Sequence, residues 1–171
     1  MIVHLQNSLT LKILHSVLLL RDISRDNVPW EETEIYNKLM SRDISSRYDS
    51  DDNIKARLGE VDVLHNQVDE NGYMSQRQLQ YKDDTAFSPT EKSPPEKEEV
   101  LVNIGRDGEI IFCTGRHRFC VARVLDIDQI PVRVHVRHKQ WQQLRNKVYN
   151  NGISEEYETL RSHPDLQDII N

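Results

Sequence analysis

The stretch covering residues 100–137, VLVNIGRDGEIIFCTGRHRFCVARVLDIDQIPVRVHVR, permits few folds. Two short β-rich runs, 100–104 and 109–113, flank Arg106-Asp107-Gly108. An Asp-Gly pair between such runs signals a hairpin, because glycine supplies the positive φ that tight turns need. The spacing predicts a hairpin over 100–113. The periodicity then changes: Phe119, Val121, Ala122, Val124 and Leu125 suit a helix packed on a sheet, over about 115–125. Thr114 is its expected cap, and Gly115 allows a tight turn from strand to helix. A third strand is predicted over 131–137, with Val132, Val134 and Val136 facing one way and Arg133, His135 and Arg137 the other. Hairpin, helix and strand together predict an α/β (α+β) class, a small mixed sheet flanked by helices.

Strand, glycine turn and a helix start carrying Arg-His-Arg make a recipe for an anion site. The first N–H groups of a helix lack intrahelical partners, and the dipole favours negative charge there. Arg116 and Arg118 can add bidentate hydrogen bonds to a phosphate. His117 can donate to the same group or move a proton. The competing reading is a surface turn with solvated basic side chains.

The segment GRHRFCVARVLDIDQIPVRV resembles the G-x-H-R helix and Ile-Pro-Val strand entry of the ParB/sulfiredoxin superfamily. Upstream, VLHNQVDENGY at 63–73 is similar to the end of that family's leading helix. The likeness covers about residues 53–137, and its wording is nearest to small ParB-like proteins of halophilic archaea and their viruses. It implies a ParB/sulfiredoxin type of sheet that uses the G-x-H-R turn at nucleotide phosphates. Gly115, His117 and Arg118 match the motif, and Arg116 occupies its variable position. In sulfiredoxin that position holds the catalytic cysteine, so a sulfinic-acid reductase is not expected here. Kinase-like and nuclease-like members often carry an acid before the glycine. Thr114 stands there instead, leaving Glu109 or Asp107 as substitutes only if the fold bends them inward.

Charge is unevenly distributed. Residues 116–147 hold eight Lys/Arg and two Asp, which gives +6 there and, against a net charge of −6, −12 elsewhere. A basic face on an acidic protein points to a phosphate or nucleic-acid partner. Cys113 and Cys120 have no metal-ligand spacing and read as buried structural thiols, which fits a reducing cytoplasm. His135 and His138 straddle a change from strand to helix and have no nearby carboxylate or thiol, so no metal site is expected. The apolar segment within residues 1–20 has no uninterrupted run long enough to span a bilayer. It reads as a core-facing helix or strand.

The expected organisation is a helical N-terminal extension (1–50), a ParB/sulfiredoxin-like domain (51–150) and a helical tail (151–171). Asn27, Pro29 and the acids after Trp30 read as a helix start. A second helix from near Asp52 carries Ile54, Leu58, Val61, Leu64 and Val68 at helical spacing and ends at Asn71-Gly72. The family's first sheet strand is expected at Gln76, Arg77 and Gln78. Residues 82–99, rich in Pro, Ser and charge, read as a loop inside the domain. Further helices are expected from about His138 and Ser154.

Three functions follow. In the first, Thr114, Gly115, Arg116, His117 and Arg118 bind a nucleotide or phosphate, with His117 as the catalytic candidate for hydrolysis or phosphoryl transfer. Arg133, Arg137 and Lys139 are then outer basic contacts, and ATP or CTP with Mg2+ is the implied ligand. The second is a nucleic-acid-binding module or weak nuclease using the basic face 116–147. The third is a non-catalytic scaffold.

Overall fold

Strand, turn and strand form where the Asp-Gly pair predicts them. In the computed structural model, which describes residues 1–4, 28–41, 50–80 and 94–170, the chain runs β1 (Ile2–His4), α1 (Glu34–Met40), α2 (Asp51–Asn71) and α3 (Gln76–Leu79). It continues through β2 (Val100–Ile104), β3 (Ile110–Thr114), α4 (Arg116–Val124), β4 (Gln129–Arg137) and α5 (Lys139–Asn151). The fold is α+β. Its mixed sheet has the order β1-β4-β2-β3. β2 pairs antiparallel with β3 and parallel with β4, while β1 pairs antiparallel with β4. The chain therefore passes from β2 to its parallel neighbour β4 through β3 and the helix after it, which crosses over β2.

α4 is packed on two sides. Its Phe119, Cys120 and Ala122 join Val100, Val102, Ile104, Ile130 and Val132 of the sheet in one core that also takes in Trp141 and Leu166. Its Val121 turns away, towards Val61, Leu64 and Val68 of α2. Full burial of an aliphatic side chain contributes roughly 1.5–3 kcal/mol, so contacts on both sides fix this helix firmly. The α2 stripe is the predicted one, apart from Leu58, which is half-buried.

A bulge corrects the expected facing of β4. Val102 pairs with Val134, but the next residue, Asn103, pairs with Val136. One inserted residue exchanges the two faces beyond it. Val136 is therefore 53% exposed. Arg137 shares a register position with the buried Ile104, on the face that meets the core.

Other expectations change as well. Trp30–Glu32 forms a 3-10 turn, and the α-helix that follows starts only at Glu34, because extended Thr33 accepts from Tyr36 N–H and caps it there. Residues 76–79 are helical where a strand was expected. Ser75 and Gln78 close a reciprocal capping box that favours a helix start. The edge strand comes instead from Ile2–His4, inside the expected N-terminal extension. The tail is not an appendage, since Leu166 is fully buried. Most of the expected 82–99 loop lies outside the described residues, and its last residue, Glu99, is buried. Among the described residues, no helix is long and apolar enough to cross a membrane.

Candidate functional site

The candidate turn starts where β3 ends. Thr114 is the last residue of β3, opposite Leu101 in register, so it does not cap the helix. Gly115 takes the N-cap position, with φ 93° and no side chain to accept from the first N–H groups of α4. Glycine is required here twice over. The φ is left-handed, and a Cβ would lie 2.9 Å from the Val100 Cα. This close approach brings the helix start against the beginning of β2.

The three basic residues of the motif have different fates. Arg116 is exposed. His117 is half-buried, and its Nδ1 lies 2.9 Å from Arg57 Nη2 on α2. Arg57 in turn pairs with Glu60. Arg118, expected as an exposed phosphate contact, is only 5% exposed. Its Nε donates to Tyr73 Oη at 3.1 Å and its Nη2 to the Met74 carbonyl at 2.5 Å. Its guanidinium carbon sits 4.6 Å from the centre of the Tyr73 ring. Burial pushes the Tyr73 hydroxyl above its ordinary value, the Arg118 charge and hydrogen bond oppose that, and Glu99 reinforces it. Glu99 itself accepts from Gln76 N–H at 2.6 Å. Arg118 thus ties the helix start to the 73–76 segment.

The outer basic contacts do not converge. Arg133 shares a cross-sheet row with Leu101 and Thr114, two strands away, which at strand spacing is roughly 10 Å. Arg137 is level with Ile104, at the end of the sheet where the hairpin turns. Thr114 is four residues along the strand from there, about 13 Å at 3.3 Å per residue. Lys139 follows at the start of α5, at that same remote end. Glu109 and Asp107 lie there too. The Glu109 carboxylate accepts from Asp107 N–H at 3.0 Å, and backbone hydrogen bonds within the turn, its own N–H foremost, hold it below the usual carboxylate range. Neither acid bends toward Gly115.

Arg137 is engaged with an acid that the sequence reading passed over. Its Nε and Nη2 donate to the two oxygens of Asp165 at 2.8 and 2.6 Å, and Trp141 Nε1 donates to the same carboxylate at 2.9 Å. Arg145 binds the Asp165 carbonyl and the Asp168 carboxylate. Burial pushes Asp165 up, but hydrogen bonds from Arg137 and Trp141 and the two arginine charges outweigh it and hold the carboxyl below its ordinary value. His163 completes the cluster, with Nε2 2.8 Å from the Gly108 carbonyl and its ring 4.5 Å from that of Trp141. A Cβ on Gly108 would strike the Trp141 ring at 2.5 Å, so this turn glycine also admits the tryptophan.

The expected basic face is therefore divided. Arg118 is buried, Arg137 and Arg145 are paired with acids, and Arg116 is separated from Lys139 and Lys147 by the length of the sheet. An open cleft of about 760 Å³, lined in part by Arg106, Gln143, Lys147 and Tyr157, also lies at the hairpin-turn end, away from the Gly115 turn. Of the two thiols, Cys120 is buried as expected and is pushed up to about 12 by burial, with Arg116 opposing. Cys113 is exposed, because strand alternation puts it on the same outward face of β3 as the exposed Ile111. Among the described residues no group of three metal-ligating side chains comes together.

No protein-family model, no curated protein and no solved structure matches this chain. The residue that sequence reading missed at the turn is Arg57. It falls three residues after Ile54 and four before Val61, on the inward stripe of α2. An arginine at such a position was the available signal.

Proposed function

We propose that the turn formed by Gly115, Arg116 and His117 binds a nucleotide or phosphate group, as the resemblance to the ParB/sulfiredoxin superfamily implies. The observation that carries this reading is the helix start itself. It is opened by a left-handed glycine, capped by no side chain, and flanked by an exposed arginine and the Arg57–His117 pair. Donors and positive charge at a helix N-terminus favour an anion. Among the described residues, Arg116, His117 and Arg57 supply cationic or neutral donors, and Glu60 is paired with Arg57. They fit a phosphate, and among the described residues no carboxylate set for Mg2+ comes together. Binding is thus better supported than hydrolysis or phosphoryl transfer.

Arg118 belongs to this reading as a positioning residue, and Thr114 as an exposed neighbour. A nucleic-acid strand has less support, because the cations it would track along are divided between the two ends of the sheet. A cytoplasmic location accompanies the proposal, in line with two unpaired thiols.

The test is a panel of ATP, ADP, CTP, GTP and inorganic phosphate, with and without magnesium, read by thermal unfolding and calorimetry. Arg116→Ala is expected to weaken binding by about 1.5–3 kcal/mol, the range for a charged hydrogen bond, and to leave the fold unchanged. If no phosphate compound binds the wild-type chain at low salt, the reading fails.

A further inference from the structure

His117 Nδ1 meets an arginine, and an arginine offers only donors. The five guanidinium N–H groups cannot accept a hydrogen bond, and the group stays charged at every working pH. Across the 2.9 Å contact from Arg57 Nη2, Nδ1 must therefore be the acceptor and carry no hydrogen. The ring hydrogen is then on Nε2. Protonating Nδ1 would set N–H against N–H and bring a second cation against the guanidinium. Arg57 is itself held by Glu60, three residues further along the same helix. Glu60 orients Arg57, and Arg57 orients the imidazole.

We infer that Arg57 is the positioning residue for His117, fixing it as a neutral ring that donates through Nε2 and cannot take a proton at Nδ1. This rests on the phosphate reading and narrows it. His117 becomes a binding donor in place of the proton-moving group suggested by the motif. Arg116 is a donor as well, so the described residues of the turn suit an oxyanion that presents only acceptors. Sulfate, which carries no proton at neutral pH, is then as good a ligand as inorganic phosphate. A site built around a histidine base would prefer the protonated phosphate, whose O–H needs an acceptor.

The test uses 15N-labelled full-length protein at neutral pH, with the His117 ring assigned by its absence in His117→Gln. The expected spectrum is that of a neutral ring with hydrogen on Nε2. A through-hydrogen-bond coupling should link Nδ1 to an Arg57 side-chain nitrogen and disappear in Arg57→Ala. Sulfate and phosphate titrations should agree within about threefold, and Arg57→Ala should weaken both by about fivefold, as for one oriented hydrogen bond. The spectroscopy needs only wild-type protein, so a poorly folded variant does not remove the test. A hydrogen on Nδ1, or a Nδ1 signal unchanged by Arg57→Ala, overturns the inference even if phosphate binds. A ring paired with Arg57 in a protein that takes up neither anion upholds the pairing and defeats the phosphate reading.

Discussion

Arg118 lies 4.6 Å above the Tyr73 ring and donates to the hydroxyl of that same tyrosine at 3.1 Å. Forty-five residues separate the two in sequence, and the contact joins the start of α4 to the segment that follows α2. A cation on an aromatic face contributes roughly 0.5–2 kcal/mol depending on desolvation. Hydrogen bonds to a charged donor add about 1.5–3 kcal/mol.

Arg118→Ala is therefore expected to destabilise the fold by about 2–4 kcal/mol, in keeping with loss of a buried charged network. It leaves Tyr73 Oη and the Met74 carbonyl without this donor. Arg118→Lys keeps the charge but cannot reach both acceptors with the same fork, and should fall between the two. Urea denaturation with a fixed m-value measures this. An alanine variant as stable as wild type would show that Arg118 is a surface residue in solution.

The motif was legible in the sequence, and the fate of its last arginine was not. G-x-H-R marks a turn and a helix start by local chemistry alone, and both formed there. Whether a given guanidinium points to solvent or to a tyrosine depends on where α2 ends relative to α4, which no local pattern encodes. The bulge in β4 was hidden for a related reason. Alternation in VRVHVR reads as one continuous strand, and only pairing with β2 reveals the inserted residue that turns Arg137 inward. Asp165 had no local signal either, since it meets Arg137 and Trp141 across more than twenty residues.

The Asp165 network predicts a particular acid sensitivity. The folded carboxyl lies below its ordinary value, because Arg137, Trp141 and Arg145 outweigh the effect of burial. Its contribution to stability is fully present above the unfolded carboxyl value near pH 4. It is lost as pH falls through the lower folded value. Asp165→Asn should cost about 3–5 kcal/mol at pH 7, as expected when one partner of a buried ion pair is removed. It should also flatten the loss of stability below about pH 4. Unfolding free energies measured from pH 7 to pH 2 test both. Parallel profiles for the two proteins would mean that Asp165 does not carry the acid limb.

Thiol labelling separates the two cysteines. Cys113 is exposed, while the Cys120 thiol is buried and pushed up to about 12. Thiolate is the reactive form, so Cys120 should be inert in the native protein at neutral pH. A thiol-reactive probe should modify one cysteine per native chain and both in denaturant, with Cys113→Ser removing the fast phase. Rapid modification of Cys120 in the native state would show that α4 opens away from the sheet.

The last prediction concerns the glycine on which the candidate site turns. Gly115→Ala must hold φ 93° with a side chain and place a Cβ 2.9 Å from the Val100 Cα, a backbone atom that cannot swing aside. A left-handed non-glycine residue alone costs roughly 1–2 kcal/mol, and relief of the clash must move either β2 or the start of α4. Gly59→Ala is the matched control. It is an exposed position inside α2 with nothing within 4 Å of the added Cβ. There alanine should stabilise by about 0.5–1 kcal/mol through helix propensity. The expected pattern is thus opposite in sign for one substitution at two glycines. Gly115→Ala should lower stability by about 2–4 kcal/mol and also displace the N–H groups of Arg116 and His117. Phosphate affinity should then fall further than the stability loss explains when binding is measured under conditions where the variant is fully folded. If the folded variant binds phosphate as wild type does, the helix start is not the anion site.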